Sequence, residues 1–157
     1  MIIDVHTHIF PPNIRQDRQG PIRPEETAYL SIYQDPKARM IGAGELVAVM
    51  DEDGVDVAVT FGFPWVDRET AKAHNDYILE AQARFPKRIV GLACFDPRRP
   101  WAAAEAERAL DQGLKGLGEL AIYGAGFDDE AVACLSDLGA LCRDKNVPLL
   151  LHVNEPI

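Results

Sequence analysis

Five short apolar segments, roughly thirty residues apart and each followed by a helical pattern, constrain this chain most, because that alternation is the rhythm of a parallel sheet with crossover helices. The segments are residues 2–8, 55–61 (VDVAVTF), 89–95 (IVGLACF), 114–120 (LKGLGEL) and 147–153 (VPLLLHV). Their near-continuous apolar character is that of strands covered on both faces. Leu46, Val49 and Met50 recur at helical spacing over residues 44–53, and Gly54 ends that pattern. Asp67 is placed to cap a helix that runs to Phe85 and stops before Pro86, with His74, Tyr77, Ile78, Ala81 and Phe85 as its stripe. An Ala-rich helix follows Pro100 and ends at Gly113. Another begins at Asp128, carries Ala131, Leu135, Leu138 and Cys142 on one side, and is broken by Asn146. Residues 9–41 depart from the rhythm. They are rich in Pro, Arg, Gln and Asp, with Tyr29, Leu30, Ile32 and Tyr33 as the one apolar cluster, and read as a long loop. That cluster is either a docking point on the surface or a cover over a pocket.

The 157 residues suffice for one domain, taken as 1–157. Sixteen Lys and Arg stand against 25 Asp and Glu, a net charge of −9. An acidic surface repels phosphate backbones, and no polybasic run is present to hold an anionic membrane, so neither nucleic acid nor membrane is an expected partner. No apolar run reaches the ~18 residues of a membrane span. The opening MIIDVHTHIFPP has neither the basic nor the apolar region of a secretory leader, which makes the cytoplasm the expected location. Cys94, Cys134 and Cys142 lack close pairing and read as small apolar residues rather than as a disulfide framework or a zinc knuckle.

In α/β barrels chemistry gathers at the C-terminal ends of the strands. The first segment delivers His6 and His8 there. The second delivers Phe63, Pro64 and Trp65, the third Asp96, the fourth Glu119, and the fifth His152, Asn154 and Glu155. Residues two apart on a strand point the same way, so His-Thr-His presents two neighbouring imidazoles, and neutral imidazole is a good ligand for a divalent cation. His152 closes an apolar run, where an imidazole without a partner is costly and metal ligation would satisfy it. Glu119 has two readings, a metal ligand or a charge at the start of a loop. Asp4 shares a face with His6 and is placed to accept the other N–H of a ligating ring. Trp65, with Phe63, walls a substrate pocket or fills core. His74, mid-helix and without companions, reads as packing.

At IDVHTHIFPP, and through GVDVAVTFGFP, RFPKRIVGLACFDP, LKGLGEL and PLLLHVNEP in order, the sequence resembles the amidohydrolase superfamily, in its amidohydrolase-related (amidohydrolase 2) branch. The resemblance covers essentially the whole chain. It implies a TIM-type (β/α)8 barrel that is incomplete here, an α/β fold with about five parallel strands, truncated after strand five. A full barrel takes about 250 residues. It implies that His6 and His8 are the strand-one metal pair, that His152 is the strand-five metal histidine, and that Glu119 is similar to an acidic residue that bridges metals in some relatives. One or two ions are both open. The family's histidine after strand six and its aspartate after strand eight, the proton shuttle, have no counterpart here. The expected function is therefore metal-dependent hydrolysis of a small-molecule substrate by activated water, with Zn²⁺ first and Mn²⁺ or Fe²⁺ as alternatives, and little or no activity in this chain alone. Decarboxylation by the same ligands is the first alternative. A non-catalytic half-barrel that assembles through its open strand edges, for instance as a homodimer, is another. PHP-type phosphoesterases also open with H-x-H, but the later segments differ from theirs and Lys and Arg do not gather at strand ends.

Overall fold

Each apolar segment is a strand, and each strand lies beside the next. The computed structural model describes residues 1–123 and 127–153. The elements run β1 (Ile3–His8), α1 (Pro12–Gln16), α2 (Thr27–Tyr33), α3 (Ala43–Asp53), β2 (Val57–Phe61), α4 (Arg68–Arg84), β3 (Ile89–Gly91), α5 (Ala102–Asp111), β4 (Leu117–Leu120), α6 (Asp129–Lys145) and β5 (Leu149–Leu151). All pairings are parallel. β2 takes β1 on one edge and β3 on the other, and β4 pairs with β5. A bridge from Ala93 to Leu117 joins the two sheets, with Ala93 N–H donating to Gly116 O at 2.9 Å and Gly118 N–H to Ala93 O at 2.7 Å. The five strands therefore stand in sequence order as an arc of an incomplete TIM-type barrel.

Side-chain alternation along β2 splits the interior. Ala58 joins the large core between strands and helices, whereas Phe61, with Val59 beside it, packs against Leu92, Cys94 and Leu150 in a smaller cluster. Coverage on both faces holds for β2 and β4 but not for β1, where Ile3 is 50% and Val5 64% exposed. Among the described residues β1 is paired along one edge, so part of its apolar surface lacks the neighbours that the run itself led us to expect.

β2, β4 and β5 start two or three residues later than their apolar runs. Val55, Leu114 and Val147 belong to helix stops. Each follows a residue in the left-handed region, Gly54 (φ 72°), Gly113 (φ 115°) and Asn146 (φ 53°), and each donates its N–H to a carbonyl five residues back, Met50, Ala109 and Cys142. This is the closing bond of a Schellman motif, whose first residue past the turn is commonly apolar. A run beginning with such a residue looks longer than the strand it feeds. At the other ends, Asp67 and Asp128 accept from the backbone N–H of Thr70 and Ala131, as the two caps require.

Residues 9–41 are not a free loop. α1 and α2 lie within them, and Ile9, Phe10, Ile14 and Tyr29 are all at most 3% exposed. Glu26, itself buried, accepts from the backbone N–H of Val66 and Asp67 and ties this segment to the start of α4. The Tyr29 ring packs on Trp65 (4.7 Å), Phe63 (5.6 Å) and Tyr33 (5.2 Å). Tyr29, Leu30, Ile32 and Tyr33 stand at helical spacing, whereas Ile9, Phe10 and Ile14 are buried by long-range contacts. No helix among the described residues is long and apolar enough to cross a membrane.

Candidate metal site

β1 ends in the pair that the alternation rule placed on one face, and Phe61 at the end of β2 packs edge-on against both rings, 5.2 Å from His6 and 4.7 Å from His8. The His8 ring is fixed further. Its Nδ1–H donates to the carbonyl of Gly62 at 2.8 Å, which selects the tautomer with a free lone pair on Nε2. Burial lowers the His8 pKa, the Gly62 bond opposing, so the ring is neutral at neutral pH.

β4 brings Glu119 to the same point. Its Oε2 lies 3.3 Å from His6 Nε2 and 3.7 Å from His8 Nε2, and the two Nε2 atoms are 3.3 Å apart. The centre of that triangle lies about 2.0 Å from each corner, the length of a metal bond to imidazole or carboxylate. Two neutral nitrogens and an anionic oxygen at that separation fit a divalent cation, and these three residues form a group able to hold one. Glu119 is nearly buried (9% exposed), so the carboxylate is desolvated where a cation would meet it.

The other candidates are distributed differently. His152 reaches Glu119 rather than the triangle, its Nδ1 being 2.8 Å from Oε1. It thus secures one carboxylate oxygen while the other faces the imidazoles. Asp4 is exposed, and its Oδ1 accepts from the backbone N–H of His6 at 3.1 Å. The acceptor of a ring N–H is Gly62 O instead, because β2 puts a carbonyl beside His8 whereas Asp4 turns back on its own strand. Of the two readings of Trp65, burial favours the filling of core. The residue is fully buried, and its indole N–H donates to His74 Nδ1 at 2.9 Å. Asp96 is absorbed by the turn into α5, accepting from Arg98 N–H (3.0 Å) and pairing with Arg99 (3.0 Å). Asn154 and Glu155 lie outside the described residues.

Two tyrosines stand at this rim, one of them, Tyr123, missed in the sequence. Tyr123, just past β4, stacks on Phe63 at 5.8 Å and 13° and lies 5.8 Å from the His152 ring. Burial, with the charge of Glu119 second, pushes its phenol up to about 12. Tyr33 of α2 is likewise raised, by burial first and Glu119 second. Both remain neutral O–H groups beside an aromatic wall. Position after a strand end was the available signal for Tyr123; Tyr33 belongs to the apolar cluster of residues 29–33, whose place beside this site comes only from the tertiary packing of α2.

An arc of parallel strands with two imidazoles and a carboxylate on its C-terminal rim defines a TIM-barrel-like fold with a group able to hold a divalent cation. The Amidohydrolase family profile matches residues 3–156, and the chain belongs to that family. No curated protein matches it. Among solved structures it is similar to 5-carboxyvanillate decarboxylase from Novosphingobium aromaticivorans, a complex with manganese and 4-hydroxy-3-methoxy-5-nitrobenzoic acid (22% identity, TM-score 0.70, covering 97% of this chain and 50% of that one). It is similar to a dihydroxybenzoic acid decarboxylase from a Polaromonas species, with manganese and 2-nitroresorcinol (20%, 0.62, 99% and 50%). It is also similar to 4-oxalomesaconate hydratase from Rhodopseudomonas palustris (16%, 0.61, 98% and 52%). At these identities the likeness is one of fold. The chain spans about half the length of each of these structures.

Proposed function

We propose that residues 1–157 form the metal-binding part of a metal-dependent enzyme acting on a small molecule. The observation that carries this reading is the triangle of His6, His8 and Glu119. Bound there, a divalent cation supplies Lewis acidity and lowers the pKa of a coordinated water. His8 contributes a lone pair whose direction Gly62 sets, Glu119 contributes the charge, and His152 anchors the distal carboxylate oxygen and is the candidate for a fourth donor. Imidazole and carboxylate suit Zn²⁺, Mn²⁺ and Fe²⁺ alike; the manganese of the decarboxylases similar in fold makes Mn²⁺ the ion to try first. Hydrolysis is the first reading for the reaction. Decarboxylation of an aromatic acid is the second, and the Phe63–Tyr123 stack beside the site favours it, because a flat ring seats well against such a wall.

The reading is tested by titrating the folded chain with Mn²⁺ and with Zn²⁺ under calorimetry. One ion per chain is expected, and absence of binding for both overturns it. The proton-shuttling aspartate that the family resemblance calls for has no counterpart in residues 1–157. The isolated chain is therefore expected to give little or no metal-dependent turnover of ester, amide or aromatic carboxylate substrates, and robust turnover overturns that expectation. The open edge of β1, with Ile3 and Val5 exposed, is further proposed to pair with added strands, as sheet edges do. Light scattering is expected to show self-association of the isolated chain, and a monodisperse monomer removes the proposal.

A further inference from the structure

α4 passes behind the cation site and buries two adjacent polar side chains, His74 (1% exposed) and Asn75 (0%), neither of which touches the triangle itself. Their partners do. His74 Nε2–H donates to the carbonyl of Ile9 at 2.7 Å, and Ile9 is the residue after His8. The same ring lies against Gly62, where an added Cβ would fall 2.8 Å from it, and Gly62 is the residue whose carbonyl receives the His8 Nδ1–H. One imidazole thus braces the chain on both sides of His8. Trp65 Nε1–H donating to Nδ1 leaves His74 only the tautomer that donates to Ile9.

Asn75 works on the other side. Its Oδ1 accepts from Cys94 N–H at 2.9 Å, and Cys94 Sγ–H donates to the backbone carbonyl of Glu119 at 3.0 Å. Its Nδ2–H donates to Glu105 at 2.9 Å, and Glu105 is held by Arg108 through two bonds of 2.7 Å. A buried amide with both its donor and its acceptor engaged has one orientation. Packing alone does not require either residue, since an apolar pair would fill the space without the desolvation of four polar atoms.

We propose that the His74–Asn75 pair is the positioning element of the cation site, His74 setting the ring of His8 and Asn75 setting Glu119 through Cys94. The proposal deepens the cation-site reading and rests on it. It is tested in the full chain with Mn²⁺ alone as the probe. His74→Phe and Asn75→Leu are expected to weaken Mn²⁺ binding by about ten- to a hundredfold, the range found when the groups that orient metal ligands are removed. His74→Gln, whose amide can donate to Ile9 O, is expected to recover most of the loss. Unchanged affinity in folded His74→Phe and Asn75→Leu overturns the proposal. A second reading needs no metal. Long-range ¹H–¹⁵N correlation is expected to show His8 as the Nδ1–H tautomer in the unsubstituted chain and as a mixture in His74→Phe, and an unchanged His8 pattern overturns the His74 half. If the unsubstituted chain binds no Mn²⁺, the cation reading fails while this spectrum still decides the positioning role. Should His74→Phe not fold, Trp65→Phe, which frees the His74 tautomer, is expected to produce the same two changes, and its failure to do so counts against the proposal equally.

Discussion

His8→Ala abolishes the stabilisation of the folded chain by Mn²⁺. A ligand that binds only the native state adds RT ln(1 + [L]/Kd), about 2.7 kcal/mol at a concentration a hundredfold above Kd. The unsubstituted chain is expected to show that gain in urea unfolding, and His8→Ala to show none at the same Mn²⁺ concentration. The reason is geometric. With His8 gone, the remaining pair of His6 Nε2 and Glu119 Oε2, 3.3 Å apart, is one ligand short of a pocket, and His6 is the more exposed of the two rings. Glu119→Gln is expected to lose the gain as well, although its size is kept, because an amide oxygen brings no charge to a cation it must desolvate. Retained Mn²⁺ stabilisation in both variants means that the ion sits elsewhere and that the triangle is a hydrogen-bonded cluster.

The stability of the metal-free chain depends on pH through His74. Burial, opposed by the bond to Ile9, lowers its pKa from 6.5 to about 4. The unfolded chain therefore takes up a proton at a pH where the folded chain refuses it. The contribution is fully present above pH 6.5, falls as the pH drops below that value, and is lost by about pH 4. At about 1.4 kcal/mol per unit the swing is about 3 kcal/mol. His8, also lowered by burial, adds in the same direction. Glu26, raised by burial, works in the opposite direction above its ordinary value of 4.5, and the lowered carboxylates Asp56 and Asp67 act only below 3.8. The control that isolates His74 is His74→Gln. Urea unfolding in chelator between pH 7 and 4.5 is expected to show a steep loss in the unsubstituted chain and a shallower one in this variant. Equal slopes mean that His74 is not the group responsible.

His74 also marks where reading the sequence stops. Mid-helix and without neighbours in sequence, it reads as packing. Its partners, Ile9 and Trp65, are 65 and 9 residues away, and only the fold joins them. The same limit explains Trp65, for which the sequence left pocket wall and core both open and whose indole N–H finds its partner in His74 only in the fold. It explains Asp4, which turns back on its own strand instead of reaching a ring. It explains residues 9–41, whose burial comes from contacts such as Tyr29 on Phe63 and Trp65, more than thirty residues away.

What the sequence alone determined is what short-range periodicity encodes: five parallel strands in order, helices stopped by Gly54, Gly113 and Asn146, and two histidines on one face because strand side chains alternate. What the tertiary structure alone decided is convergence. The meeting of Glu119 with the two imidazoles needs β4 to stand three strands from β1 at the right height, and the support from α4 needs that helix packed against β2 and β3. Separations of that kind are set by packing between residues far apart in sequence, which no local pattern records.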